Sequence, residues 1–120
     1  MVETFKKILE EIKQKGAVTL FAVLKMDDLT DKWSVFLCAP WISEENRKEI
    51  FTDVINLLKK NMTAEELATV ARVVISVKDD HLIQELLEFR NDSHIGGESS
   101  IKLNGNLIHD GYILESNKEV

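Results

Sequence analysis

A chain of 120 residues with 21 acidic and 15 basic side chains, 44% hydrophobic residues and one cysteine is sized for a single domain. One cysteine excludes an internal disulfide and fits a reduced, cytoplasmic setting, and no apolar run approaches the roughly 18 residues of a membrane span. With no such span, no membrane partner is expected, and a formal net charge of −6 without a basic stripe argues against nucleic acid and points to another protein, a basic one by charge.

The opening stretch MVETFKKILEEIK has acids among its bases and no continuous apolar core, so it reads as neither a signal nor a transit peptide. Residues 3–15 form a helix by pattern: Phe5, Ile8, Leu9 and Ile12 recur at helical spacing, lysines fill the other side, and Gly16 stops it. Residues 17–26 are apolar at nearly every position and read as a buried strand. After a polar turn at 27–31 comes KWSVFLCAPWI, residues 32–42, which holds both tryptophans, the cysteine and the sole proline. Trp33, Val35, Leu37 and Ala39 alternate with Ser34, Phe36 and Cys38, so both faces are largely apolar and both should be covered. Pro40 ends the ladder. The short connection makes these two strands an antiparallel hairpin.

Ser43 is the expected cap of the next helix, with Glu44 and Glu45 in its first turn. Its stripe is Ile50, Phe51, Val54, Leu57 and Leu58, and Lys59 and Lys60 close it. Thr63-Ala-Glu-Glu66 spells a capping box that opens a short helix at 64–71, and residues 72–78 (RVVISVK) read as a strand. Strand, helical crossover and strand predict a parallel pair. Asp79 and Asp80 cap a further helix carrying Leu82, Ile83, Leu86, Leu87 and Phe89. Residues 90–97 read as a polar loop. Residues 99–103 and 106–108 flank Asn104-Gly105, the residue pair that a type I′ hairpin turn demands. His109-Asp110-Gly111 marks a bulge or corner, residues 112–114 resume extended structure, and 116–120 read as a loose tail. The fold class is α+β: a mixed, partly parallel sheet of about five strands with three to four helices, ordered α-β-β-α-α-β-α-β-β with a possible sixth strand. Two or three layers make a single domain over residues 1–120.

Three groups carry candidate chemistry. Asp79, Asp80 and His81 stand at the carboxyl end of a predicted parallel strand, and with His94 or His109 they form a donor set for a divalent metal in a small hydrolase or nuclease. The same acids serve equally as helix caps. Cys38 is a nucleophile only in an electropositive, accessible pocket, and its mid-strand place argues for a core residue. Trp41, beside Pro40, is an aromatic anchor of the kind enriched at interfaces.

No cofactor is expected: the chain has no G-x-x-x-x-G-K-[ST], no G-x-G-x-x-G and no G-x-S-x-G. The charge is uneven. Residues 1–78 hold twelve acids and twelve bases, and residues 79–120 hold nine acids against three bases. The favoured expectation is therefore a non-enzymatic interaction or accessory module, with Trp41, Glu85, Glu88, Asp110 and Glu115 as candidate contacts. A homodimer through an edge of the terminal hairpin is the further possibility.

Overall fold

The computed structural model describes residues 2–26, 32–103 and 105–120, with the side chains of 97–101 and 106 left out. The expected turn at 27–31 and Asn104 of the Asn-Gly turn lie outside the described residues. Gly105 has a φ of 78°, the left-handed backbone such a turn needs.

The elements are α1 (Val2–Lys13), β1 (Leu20–Met26), β2 (Trp33–Cys38), α2 (Arg47–Asn61), α3 (Ala64–Leu67), β3 (Val70–Ser76), α4 (His81–Leu86), β4 (Ser93–Leu103) and β5 (Asn106–Ser116). The five strands form one mixed sheet in the order β3-β2-β1-β5-β4. β1 and β2 pair antiparallel, with Val23 opposite Val35, and β2 pairs parallel with β3, with Val35 opposite Val73. β5 lies antiparallel between β1 and β4.

The alternation in β1 and β2 divides the core. Phe21, Val23, Trp33, Val35 and Leu37 face Phe5, Ile8, Leu9 and Ile12 of α1 and Ile50, Val54 and Leu58 of α2. Leu20, Ala22, Leu24, Phe36 and Cys38 face Leu82, Ile83 and Leu86 of α4 together with Ile95, Ile108 and Ile113. The result is three layers: α1 and α2, the sheet, then α4. Ser34 is wholly buried on the α4 side and accepts a 2.8 Å hydrogen bond from Arg72 Nε, which satisfies its hydroxyl. Glu11 clips α1 to α2 by accepting from Lys60 Nζ and Asn61 Nδ2, both at 2.9 Å, and these bonds hold its carboxyl below the usual carboxylate range.

Several boundaries differ from the expected ones. α2 starts at Arg47, with Asn46 rather than Ser43 in the N-cap position and no side-chain bond to the helix N–H groups. Asn46 Oδ1 accepts from the Ser43 N–H at 2.7 Å and its Nδ2 donates to the Trp41 carbonyl at 2.8 Å, so residues 43–46 form a side-chain-bonded turn before the helix. The Thr63 capping box is present with both reciprocal bonds, but α3 is one turn and β3 begins at Val70. Thr63→Ala should therefore lower unfolding free energy by about 1 kcal/mol, read as a shift of the urea midpoint.

The expected loop at 90–97 is strand from Ser93 onward, because β5 supplies partners that the local composition does not advertise. A bulge falls at His109, where consecutive β1 residues Lys25 and Met26 oppose Asp110 and Ile108. Beyond β5 the backbone turns back on β1: the Asn117 N–H donates to the Thr19 carbonyl at 2.8 Å, and Thr19 Oγ1 donates to the Val120 carbonyl at 3.1 Å.

Candidate functional site

Asp80 is the N-cap of α4, its Oδ1 accepting from the N–H groups of Leu82 at 2.9 Å and Ile83 at 3.3 Å. Asp79 and His81 flank it on the surface. His94 is engaged elsewhere: its Nε2 lies 2.7 Å from Asp110 Oδ1, and its ring stacks on Tyr112 at a 4.6 Å centroid distance and 14°. Tyr112 in turn leans on Trp33, and Lys25 Nζ sits 4.7 Å above the Trp33 ring. Among the described residues, no group of three or more His, Cys, Asp or Glu side chains is placed to hold a metal ion.

Cys38 is 1% exposed, and burial pushes its thiol pKa up. The native protein at pH 8 should thus leave a thiol reagent unreacted over hours and release one equivalent when unfolded in guanidinium; rapid native labelling would mean that the core opens there.

Of the five candidate contacts, Trp41 is half-buried, donating from Nε1 to the Ala17 carbonyl at 2.9 Å. Its ring lies where a Cβ at Gly16 would stand, 2.7 Å from Cδ1, so Trp41 is seated against the end of α1. Glu115 pairs with Lys13 of α1 at 3.3 Å, Glu88 with Lys118 at 2.8 Å and Asp110 with His94, while Glu85 stands exposed on α4. These residues are shared between the two faces of the sheet. Lysines from α1 answer acids of the last third: Lys6 reaches Asp92 at 3.7 Å just as Lys13 reaches Glu115. A cleft of about 730 Å³ along α1 is spanned by those two ion pairs, with Glu3, Lys7 and Glu10 also on its walls.

A second groove has a different character. β3 hydrogen-bonds to β2 on one side only and is an edge of the sheet. Between its second half and the first turns of α2 runs a groove of about 560 Å³, walled by Phe51, Val73, Val74 and Ile75. Three consecutive strand residues line it, and because successive side chains point to opposite faces, the groove follows the strand's edge rather than one face.

Phe51 at 40% exposure and Val77 at 39% are the exposed large apolar side chains among the described residues; one walls the groove and the other directly follows β3. Phe51 was expected in the buried stripe of α2. It lies about 100° round the helix from Ile50, at the margin of that stripe, where the end of the sheet leaves it uncovered.

The rim of the groove is polar at one end, where Glu44, Arg47 and Lys48 stand. Arg47 Nη2 is 3.0 Å from Glu44 Oε1, but its Nε is buried with no hydrogen-bond partner. The N-terminus of α2 beside it has no side-chain cap. None of this was visible as a motif; the one available sign was that RVVISVK, with no proline or glycine to blunt it, follows a crossover helix and so risked standing at an edge.

No protein-family model, curated protein or solved structure matches the chain.

Proposed function

We propose that this protein is a non-enzymatic interaction module that docks a protein partner along the β3 edge and the adjoining turns of α2. The observation that supports the reading is the coincidence of an unpaired strand edge with an apolar groove and with both exposed large apolar side chains of the described residues. An unpaired strand edge carries backbone donors and acceptors free to take another chain, and exposed apolar surface beside it rewards coverage. A partner covering Phe51 and Val77 removes apolar area from water at about 25 cal/mol per Å², while the strand edge supplies directional bonds.

The net charge of −6 favours a protein over nucleic acid as the partner, since phosphate backbones seek lysine and arginine clusters. No helix among the described residues is long and apolar enough to cross a membrane.

A photoreactive amino acid placed at position 51 tests the reading in living cells. Discrete protein adducts at position 51, absent when the same group is placed at exposed Lys59 on α2, are the expected result. Adducts indistinguishable between the two positions would remove the docking surface. Phe51→Asp should abolish those adducts, with the probe moved to position 77, while shifting unfolding free energy by no more than about 0.5–1 kcal/mol, as befits a half-exposed site.

A further inference from the structure

Resting on the reading of this groove as a docking surface, we infer that its occupant is an extended acidic-apolar segment of a partner protein. It adds to β3 as a sixth strand and sets an aspartate or glutamate side chain on Arg47.

The two edges of the sheet differ in how they are protected. On β4, four residues, 97–100, separate the paired Gly96 and Ile101, against the single residue His109 on β5, and such an excess of chain breaks the flat template that another strand needs. Along 71–76 β3 has no proline, no bulge after the one at its start and no lysine; its one charged residue, Arg72, stands near the start and donates to Ser34, so 73–76 carries no guard. A strand added there places alternate side chains toward the helix layer, where Phe51, Val73 and Ile75 receive them.

The acidic part of the inference comes from the end of the groove. The Arg47 side chain is 37% exposed, yet its Nε–H is enclosed and has no acceptor, which costs a folded protein stability. The uncapped N-terminus of α2 adds the positive end of a fifteen-residue helix and Lys48 adds a full charge; Glu49 in the first turn offsets part of the helix end, while on the groove rim Arg47 and Lys48 outnumber Glu44. These features converge on an anion. The guanidinium fork binds a carboxylate through two parallel N–H donors, so a carboxylate that draws the partly exposed side chain round to present Nε and an Nη satisfies the orphan donor and competes with the exposed Glu44 for the other.

The basic partner suggested by the overall charge does not apply at this spot, because recognition at contact distance follows the local rim rather than charges beyond a Debye length of about 8 Å. A second copy of the chain fits less well. Pairing β3 with β3 would bring VARVVIS to the groove, a strand whose one charged residue is Arg72 and which carries no acid.

The probe is a phage-displayed library of random twelve-residue peptides panned on the full chain, with recovered sequences synthesised and measured by fluorescence polarisation. The expected peptides alternate apolar residues and carry an aspartate or glutamate. Changing that acid to its amide should weaken binding about tenfold or more on the wild type and about twofold or less on Arg47→Gln. Arg47→Lys, which keeps the charge and loses the fork, should fall between them. Amide hydrogen exchange of residues 70–76 should slow in the complex.

Peptides that lose binding with Phe51→Asp but are indifferent to Arg47→Gln would overturn the acidic strand and leave the docking reading standing. Binders indifferent to both substitutions would overturn both. Slowed exchange outside β3, or recovery of no binders by a chain that sediments as a dimer, would overturn the strand addition. The melting temperature of each variant, measured alongside, separates lost recognition from lost fold.

Discussion

Phe21→Ala should lower the free energy of unfolding by about 3–5 kcal/mol, a large share of the roughly 5–15 kcal/mol that holds a domain of this size together. Phe21 is fully buried in the middle strand of the sheet and is enclosed by side chains of α1, α2 and β2. Truncating it removes the transfer energy of the ring and leaves a cavity that strands bonded on both sides cannot collapse to fill. Urea titration followed by tryptophan fluorescence reads the loss as a lower midpoint at unchanged slope. Phe51→Ala is the matched control, the same truncation at a site already 40% exposed, and should lose no more than about 1 kcal/mol. Equal losses at the two positions would contradict the placement of Phe51 at the open groove.

Gly96→Ala should cost about 2–3 kcal/mol by a different route. Gly96 holds φ at 90°, which an L side chain adopts only under strain, and a Cβ there would stand 2.4 Å from the His109 carbonyl oxygen. That neighbour is backbone and has no rotamer to escape into. The β4–β5 pairing beside the bulge must shift, and with it the His94–Asp110 and His94–Tyr112 contacts that span the two strands. Gly105→Ala isolates the conformational share: φ is 78° but no atom lies within 4 Å of the added carbon, so about 1 kcal/mol is expected. Thermal unfolding ranks the three proteins, and cross-strand amide contacts between Gly96 and Asp110 report whether the register has moved. A Gly96→Ala protein as stable as Gly105→Ala would argue that the strands do not approach so closely.

Where the sequence spoke clearly, it spoke through neighbours close along the chain. Thr63 and Glu66 are three residues apart, and both reciprocal bonds form. Trp33 and Val35 alternate with Phe36 and Cys38, and the two sets fall into the two halves of the core as their spacing requires. Ser43 misled for a local reason too: SEEN offers two residues for the N-cap position, and Asn46 takes it while its side chain is spent on the Ser43 N–H and the Trp41 carbonyl. The arm of β4 at 99–103 was legible from the Asn-Gly turn, but its first half was not, because His94, Gly96 and Gly97 carry no strand pattern of their own. Its strand character is conferred by pairing with β5.

The charge distribution teaches the same lesson at longer range. Nine acids against three bases in the last third is a true property of the chain, yet in the fold Lys6 and Lys13 come from α1 to meet Asp92 and Glu115. Segregation along the chain was thereby partly undone in space. The groove at β3 is the converse case, where Phe51, counted toward the buried stripe of α2, ends up 40% exposed because nothing in the described chain covers it.

By itself the sequence determined the element order, the parallel β2–β3 unit, the split of the central strands between two faces and the inert placement of Cys38. All of these follow from periodicity, capping and turn chemistry acting over a few residues. Only the tertiary structure decided that β5 inserts beside β1, that β3 is left as the open edge, and that Arg47 and Phe51 share a groove there. Those outcomes depend on which distant segments compete to cover the same apolar faces, and that competition is settled by packing the whole chain at once.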